Sequence, residues 1–554
     1  LGCSGLRHAA ELRFLRPEWE HLLALHHGSI DREERERVEG GLKDGSLRLV
    51  VCTSSLDLGV DFGPVERVIQ IGSPKGIGRT LQRAGRSAHR PGATCRILFV
   101  PTHALELVEM AAARDAIAHR EVEPRTPLSK PLDVLAQHLV TCALGGGFTR
   151  EALREEVRTA TSYASLTDEE FDQALTVVRE GGPTLRAYPE FRRVVEVDGR
   201  FRVPDARLAR LHRLNIGTIT SDASVQLRYW SGGTLGTVEE SYVSRLKPGD
   251  TFLFAGRRLE FSRFKDMTAY VKPAKAKATQ TPRWGGSRLP LSTSLASAMR
   301  RTLEAARQGD VTRDEIAAAW PILDAQARLS RIPGDGRCLA ETCRTRDGYH
   351  LFLYPFEGRL VHEGLAALLA LRLTRLRKAT FSLSVNDYGL ELITSTPFPF
   401  DEALRPALFT REHLVEDILE SVNLSELARR QFRDIARVAG LVMPGLPGAR
   451  KSTRQVQASA ALLYDVFVKY DPDNLLLRQA RREVLEHQFE QGRLTRTLER
   501  LEAHSVEVVH VHRPSPLGFP LVVERISASV SNESLLDRVQ RLKERWSQAD
   551  ARPA

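Results

Sequence analysis

TSSLDLGVDFGPVERVIQIGSPKGIGRTLQRAGRSAHR, residues 53–90, is the stretch that decides how this chain folds. Thr53 closes an apolar run, residues 47–52, of the kind buried as a strand in a parallel sheet. A Gly59-Val60-Asp61 turn follows, then a second apolar run at 65–71. Gln82-Arg83-Ala84-Gly85-Arg86 opens or flanks the next helix. Arginine offers a planar, permanently charged fork that lysine lacks, and that fork matches the oxygens of a phosphate. A lone Gly-Arg pair would carry little weight. The two segments in this order, each behind an apolar strand, outweigh the alternative of a surface helix with merely solvated arginines.

Length and composition agree with a large multidomain protein. A chain of 554 residues exceeds one core, which predicts roughly three to five domains. Its 42% hydrophobic and 27% charged content describes a soluble globular protein. The net charge of +10 and pI near 9.4 favour a polyanionic partner, because basic side chains release counterions from phosphates. Six cysteines are scattered. Cys338 and Cys343 have no second pair to complete a zinc site or disulfide framework, so reduced core thiols in a cytoplasmic protein are expected. No signal peptide and no apolar run of membrane-spanning length is present, so no membrane association is expected. Neither G-x-x-x-x-G-K-[ST] nor D-E-x-[DH] occurs in the sequence, and residue 1 is Leu.

Along the chain, residues 1–100 alternate strand and helix, with strands at 47–52, 65–71 and 95–100. No first strand is recognisable at 1–5. Asp31, with Glu34 three residues on, starts a helix that Gly45 ends. Residues 101–205 turn helical: Leu132, Leu135, Leu139 and Cys142 share a face, and Thr167-x-x-Glu170 is a capping box. Residues 195–203 alternate on both sides of Asp198-Gly199, a strong hairpin signal. Helices followed by such a hairpin suggest a winged helix.

Residues 206–290 are β-rich, with strands expected at 226–230, 242–246, 251–254, 259–264 and 269–271, as a small β-barrel or curved sheet. Lys265, Lys272, Lys275 and Lys277 precede Arg283-Trp284-Gly285-Gly286, a basic loop with one aromatic platform of the kind that single strands use. Residues 291–554 form a helical domain with an α+β insert: strands at 351–354, 380–392, 506–512 and 521–526, and an apolar helix at 365–376. His362-Glu363 lacks the second histidine of H-E-x-x-H, since Ala366 stands there; no metal site is expected. Asp471-Pro472-Asp473-Asn474 reads as a turn and helix cap. The fold class is therefore multidomain α/β plus α+β: a parallel sheet, a winged helix, a small β-barrel and a helical/α+β C-terminal domain.

Residues 53–63 and 72–92 resemble motifs V and VI of superfamily 2 helicases, in the second of their two RecA-like motor domains. Further segments narrow the resemblance to the large helicase-related (Lhr) family, most closely its ligase-associated bacterial DEXH-box branch. These are 26–45, RLNIGTI at 213–219, 354–373, 384–392, 462–490 and 516–526. The resemblance implies an ATP-dependent translocase moving 3′ to 5′ on single-stranded DNA and unwinding duplex or DNA–RNA hybrid, in DNA repair. It implies ATP and Mg²⁺ as cofactors, DNA ligase and nuclease repair partners, and a P-loop and acidic motif in a first RecA-like domain preceding residue 1. By residue, Thr53 matches the nucleic-acid contact of motif V, and Gly59 and Asp61 match nucleotide contacts. Gln82 and Arg86 match the catalytic γ-phosphate contacts, Arg86 as the arginine finger, with Arg83 beside them in the ATP site. The family's last arginine falls on His89 here, with Arg90 adjacent, and its role is assigned to neither. Trp284 matches a base-stacking residue and Ile219 a wedge against the strand. Two alternatives remain open: a nucleic-acid-binding scaffold carrying an inert motor remnant, and a DExH RNA helicase.

Overall fold

The computed structural model describes residues 16–28, 30–57, 65–87, 92, 94–124, 127–218, 224–230, 232, 234–239, 246, 248–254, 257–265, 268–274, 289–421, 424–443, 453–488, 490–504, 506–528 and 535–550. The first layer is α/β. Strand β1 (Leu23–His26) runs parallel to β2 (Leu49–Cys52), and β3 (Val68–Ile71) runs parallel to β4 (Ile97–Val100). β1 falls where the sequence gave no strand signal: it is only four residues long, with Leu23 and His26 buried at its ends. Between β1 and β2 lies the helix Arg32–Asp44. Asp31 caps it by accepting from the Glu33 N–H, and Gly45 ends it at φ +78. The helix Ile77–Ala84 crosses from β3 towards β4.

Next come the helices Ala104–Ala118, Leu132–Leu144, Arg150–Arg158 and Asp168–Glu180. Leu132, Leu135 and Leu139 are buried, as their spacing requires. Thr167 and Glu170 complete the capping box in both directions. β5 (Val195–Val197) and β6 (Arg200–Arg202) form the expected hairpin, with Asp198 and Gly199 both at positive φ. Phe201 pairs back to Phe148, with their rings 5.2 Å apart, which fastens the hairpin to the helices.

Strands β7 (Ser224–Tyr229), β8 (Thr234–Glu239), β9 (Thr251–Phe254), β10 (Arg257–Lys265) and β11 (Thr268–Pro273) form one mixed sheet in the order β8-β7-β11-β10-β9. Among the described residues β8 and β9 are its edges. β8 carried no strand signal because glycines flank and interrupt it. Four of the five residues in the strand expected at 242–246 lie outside the described residues.

A second five-stranded sheet follows, ordered β14-β15-β13-β12-β16: β12 (Cys338–Thr345), β13 (Gly348–Tyr354), β14 (Ser382–Val385), β15 (Leu390–Thr394) and β16 (Val506–His510). The helix Arg359–Leu376 packs on it. The strand expected over 380–392 is two strands, turned at Asn386, whose side chain accepts from the Tyr388 and Gly389 N–H groups. Residues 521–526, read as a strand from their β-branched run, belong instead to the helix Phe519–Ala528, which buries Leu521 and Val522 on the inner sheet. His362 is fully buried, its Nδ1 on Asn386 O and its Nε2 accepting from Glu357 N, and burial lowers its pKa to about 4. Asn474 caps the helix Leu475–Glu483 as expected.

Cysteines depart from expectation: Cys338 and Cys343 are buried, Cys142 is half-buried, but Cys52 and Cys95 are exposed. None of the described helices is long and apolar enough to cross a membrane. Two of the cores join segments far apart in the chain. One core joins Leu132, Phe171 and Phe201 to Phe432, Phe467 and Leu476. Another joins Val108 and Ala112 to Leu295, Leu323, Phe352 and Leu521. The sheet β7–β11 keeps a core of its own.

Candidate functional site

Parallel strands deliver their loops at one edge, and the described residues among those singled out at 53–86 follow in the chain from the end of β2. Thr53 leaves β2 half-buried, its N–H on His26 O at 3.3 Å, and starts the turn Ser54–Leu56. Asp57 ends that turn. Arg83, on the helix Ile77–Ala84, grips the Asp57 carboxylate as a fork, with Nε 3.0 Å from both oxygens and Nη2 2.7 Å from Oδ2. Its Nη1 donates to Gln70 Oε1 in β3 at 2.7 Å. A single guanidinium thus ties the end of β2, strand β3 and the helix together. Gln82 lies exposed beside it, and Arg86 is half-buried in the turn beyond the helix.

Both ends of this helix are clamped. At the start, Glu123 Oε1 accepts from Ile77 N and Ser292 Oγ, each at 2.5 Å, and Oε2 accepts from Gly78 N at 2.7 Å. Burial alone would raise the Glu123 carboxyl, but these donors hold it below the usual carboxylate range, and its charge complements the helix N-terminus. At the finish, Ser87 Oγ donates to Ala84 O and accepts from Arg96 N, and Ser87 bridges Val65.

The loop leading into the helix is fixed from below. Glu106 accepts from Ser73 N at 3.0 Å and from Thr102 N at 2.6 Å, joining the ends of β3 and β4. Lys75, at φ +61, sends Nζ into a buried cluster: Glu109 Oε1 at 2.7 Å, Tyr388 OH at 3.2 Å and Asp387 Oδ2 at 3.4 Å. Burial disfavours its charge, yet Glu109 and Asp387 more than offset that and raise its pKa. These contacts bind the parallel-sheet layer to the turn between β14 and β15.

Sequence reading missed Arg79, one turn before Arg83 on the same helix. Its Nη1 is buried with no hydrogen-bond partner among the described residues, and burial, with Arg83 nearby, lowers its pKa. The missed signal was its i−4 spacing from Arg83. His26 was missed as well: buried at the end of β1, it meets Ser55 Oγ at 2.8 Å and Glu39 Oε1 at 3.0 Å, and so braces the turn after Thr53. Arg83 is therefore brought to the turn that follows Thr53, with Gln82 beside it on the helix and Arg86 in the turn after it. Gly59, Asp61, Ile219 and Trp284, with His89 and Arg90, lie outside the described residues.

Three family models match the chain. "Helicase conserved C-terminal domain" covers residues 3–92, "Large helicase-related protein, winged helix domain" covers 115–281, and "DEAD/H associated" covers 332–518. The winged-helix match takes in both the hairpin β5–β6 and the sheet β7–β11. The chain is 29% identical over 539 residues to the ATP-dependent helicase Lhr-Core protein 2 of Thermococcus barophilus, covering 94% of this chain and 62% of that protein. It is 28% identical over 516 residues to the ATP-dependent helicase Lhr-Core of Methanocaldococcus jannaschii, covering 91% and 60%. The structure of the Mycobacterium smegmatis helicase Lhr bound to ssDNA and AMP-PNP superposes with a TM-score of 0.69 at 25% identity, covering 93% of this chain and 64% of that one. The chain thus spans about 60–62% of the length of these two curated relatives.

Proposed function

The chain belongs to the large helicase-related (Lhr) family, and on that premise we propose that it forms one wall of the nucleotide site of an ATP-dependent helicase. That helicase translocates 3′ to 5′ on single-stranded DNA and unwinds duplex or DNA–RNA hybrid. The observation that carries the reading is the Arg83 fork on Asp57, which docks the helix bearing Gln82 onto the strand that ends in Thr53. Donors suited to a triphosphate are carried by that helix and the turn after it: Gln82 is exposed, Arg86 follows in the next turn, and Arg79 Nη1 has no acceptor among the described residues. ATP supplies, when bound with Mg²⁺, the phosphoanhydride whose hydrolysis drives movement.

Within that site Arg86 is the arginine finger and Gln82 its polar companion. Positioned charge of this kind is the main catalytic resource in phosphoryl transfer. Arg83 acts from behind, because both sides of its guanidinium are already taken by Asp57 and Gln70. Gly59 and Asp61 complete the nucleotide contacts, and Thr53, Ile219 and Trp284 hold the strand. A cytoplasmic repair setting with ligase and nuclease partners, and the ligase-associated branch, complete the proposal.

Arg86→Ala in the full-length protein tests it. DNA-stimulated ATP hydrolysis should fall by roughly 10³-fold or more, with DNA affinity unchanged within about twofold. Near-normal turnover in that variant would remove the finger assignment and favour an inert motor on a binding scaffold.

A further inference from the structure

We propose that the outer face of the sheet β7–β11 is a base-stacking subsite for single-stranded nucleic acid, with Trp230, Tyr270 and Arg263 as its platform. The inner positions Leu227, Leu259, Phe261, Ala269 and Val271 are buried in the sheet's own core. Side chains alternate across a strand, so Arg228, Tyr270 and Lys272 face the other way. Trp230 directly follows β7. Its N–H is bonded to Val271 O at 3.0 Å, yet the residue is 59% exposed. The Arg263 guanidinium stands 4.4 Å from the Trp230 ring centroid and 5.0 Å from that of Tyr270. The two rings meet edge to face at 6.0 Å. A register shift between Phe261 and Arg263 is what turns Arg263 outward beside Tyr270, its partner in the ladder.

An exposed indole held rigid by its backbone and by a stacked cation has little conformational freedom left to lose on binding. Every base presents a π-face to such a ring, and basic neighbours follow the backbone. Charge decides the class of ligand. Arg228, Arg258, Arg263 and Lys272 lie on this face, and a carboxylate beside them, Glu260, is paired with Lys272 at 3.0 Å. No described residue forms an ion pair with Arg263. That balance suits a polyanion rather than an acidic-rimmed or apolar protein surface. Position agrees. β8, the neighbour of β7, bridges through Gly236 to Ile30, which follows the β1 end where His26 O receives Thr53 N. The platform is therefore continuous with the edge that the proposed function gives to the strand, and the inference rests on that reading for its direction of approach.

Binding of a fluorescent oligothymidylate to the full-length protein, without nucleotide and across a salt titration, tests the platform. Trp230→Ala and Tyr270→Ala should each weaken binding by roughly five- to 150-fold, and Trp230→Phe should recover most of the loss. The salt slope should be unmoved in Trp230→Ala and reduced by about 0.7 in Arg263→Ala. Affinity within twofold of the parent in both alanine variants overturns the proposal and leaves the face to another class of ligand. Should a variant melt early, photocrosslinking of a 4-thiothymidine oligonucleotide to the unsubstituted protein replaces it: adducts on Trp230 or Tyr270 support the platform, and adducts only elsewhere overturn it. Because no ATP is present, a normal ATPase in Arg86→Ala would sink the motor and leave this result standing. Normal binding by both Trp230→Ala and Tyr270→Ala would sink the platform and leave the motor.

Discussion

Replacing Lys75 by methionine removes the ammonium from a cluster that joins the parallel-sheet layer to the second five-stranded sheet. Glu109 is only 1% exposed and Lys75 17%. Taking one partner from a buried pair costs about 3–5 kcal/mol, because the other charge stays buried. Tyr388 OH still donates to the same Glu109 oxygen at 2.5 Å, which favours the lower part of that range. Loss of the ammonium from 5.0 Å above the Tyr388 ring adds about 0.5–1 kcal/mol. The sum, about 3–4 kcal/mol, is a large share of the ~5–15 kcal/mol that holds a domain folded. At about 2–4 °C per kcal/mol, the transition containing this cluster should move down by roughly 6–16 °C in calorimetry. Adding Glu109→Gln should recover about 2 kcal/mol of that loss, since the more deeply buried of the two carboxylates left without the ammonium is then gone, with Asp387 remaining. A loss below about 1 kcal/mol, or strict additivity of the two substitutions, would refute the coupling. Activity should follow: the helix bearing Gln82 sits on this loop, and small misplacements of reacting groups are costly.

Two further outcomes are expected. Glu123→Ala deprives Ile77 N, Gly78 N and Ser292 Oγ of their acceptor; it should destabilise by about 2–3 kcal/mol and speed amide exchange at Ile77 and Gly78, and unchanged exchange there would contradict the clamp. His362 titrates at about 4 in the fold against 6.5 in the unfolded chain because burial disfavours its charge. The unfolded state therefore takes up the proton first, so stability present above pH 6.5 should decline as pH falls towards 4, by on the order of 3 kcal/mol. His362→Gln should flatten that slope, and identical pH profiles for parent and variant would exclude His362 as its source.

Local signals settled the local structure. Asp31 and Gly45 bound their helix, Thr167 and Glu170 close their capping box, and Asp198-Gly199 makes its hairpin. Each depends on groups a few residues apart, and so does the placing of Gln82, Arg83 and Arg86 around a helix after β3. The apolar runs at 47–52, 65–71 and 95–100 likewise gave β2, β3 and β4, each beginning two or three residues later than its run. Where short-range pattern and distant packing disagree, packing prevailed. The β-branched run at 521–526 is helical because Leu521 and Val522 fill a space left by β12 and β13. β12 was hidden because Glu341 sits buried within it, satisfied by Gln326 and Tyr354 from elsewhere.

What the amino-acid order determined by itself is the inventory: caps, turns, strand runs and the arginine-bearing helix that carries the family resemblance. Only the tertiary structure decided which pieces share a core, that Arg83 is spent on Asp57, that Lys75 meets Tyr388 313 positions away, and that Trp230, Arg263 and Tyr270 stack. The reason is physical. Caps and periodicities are contacts between near neighbours, whereas burial and ion pairing are settled between groups that only the folded chain brings together.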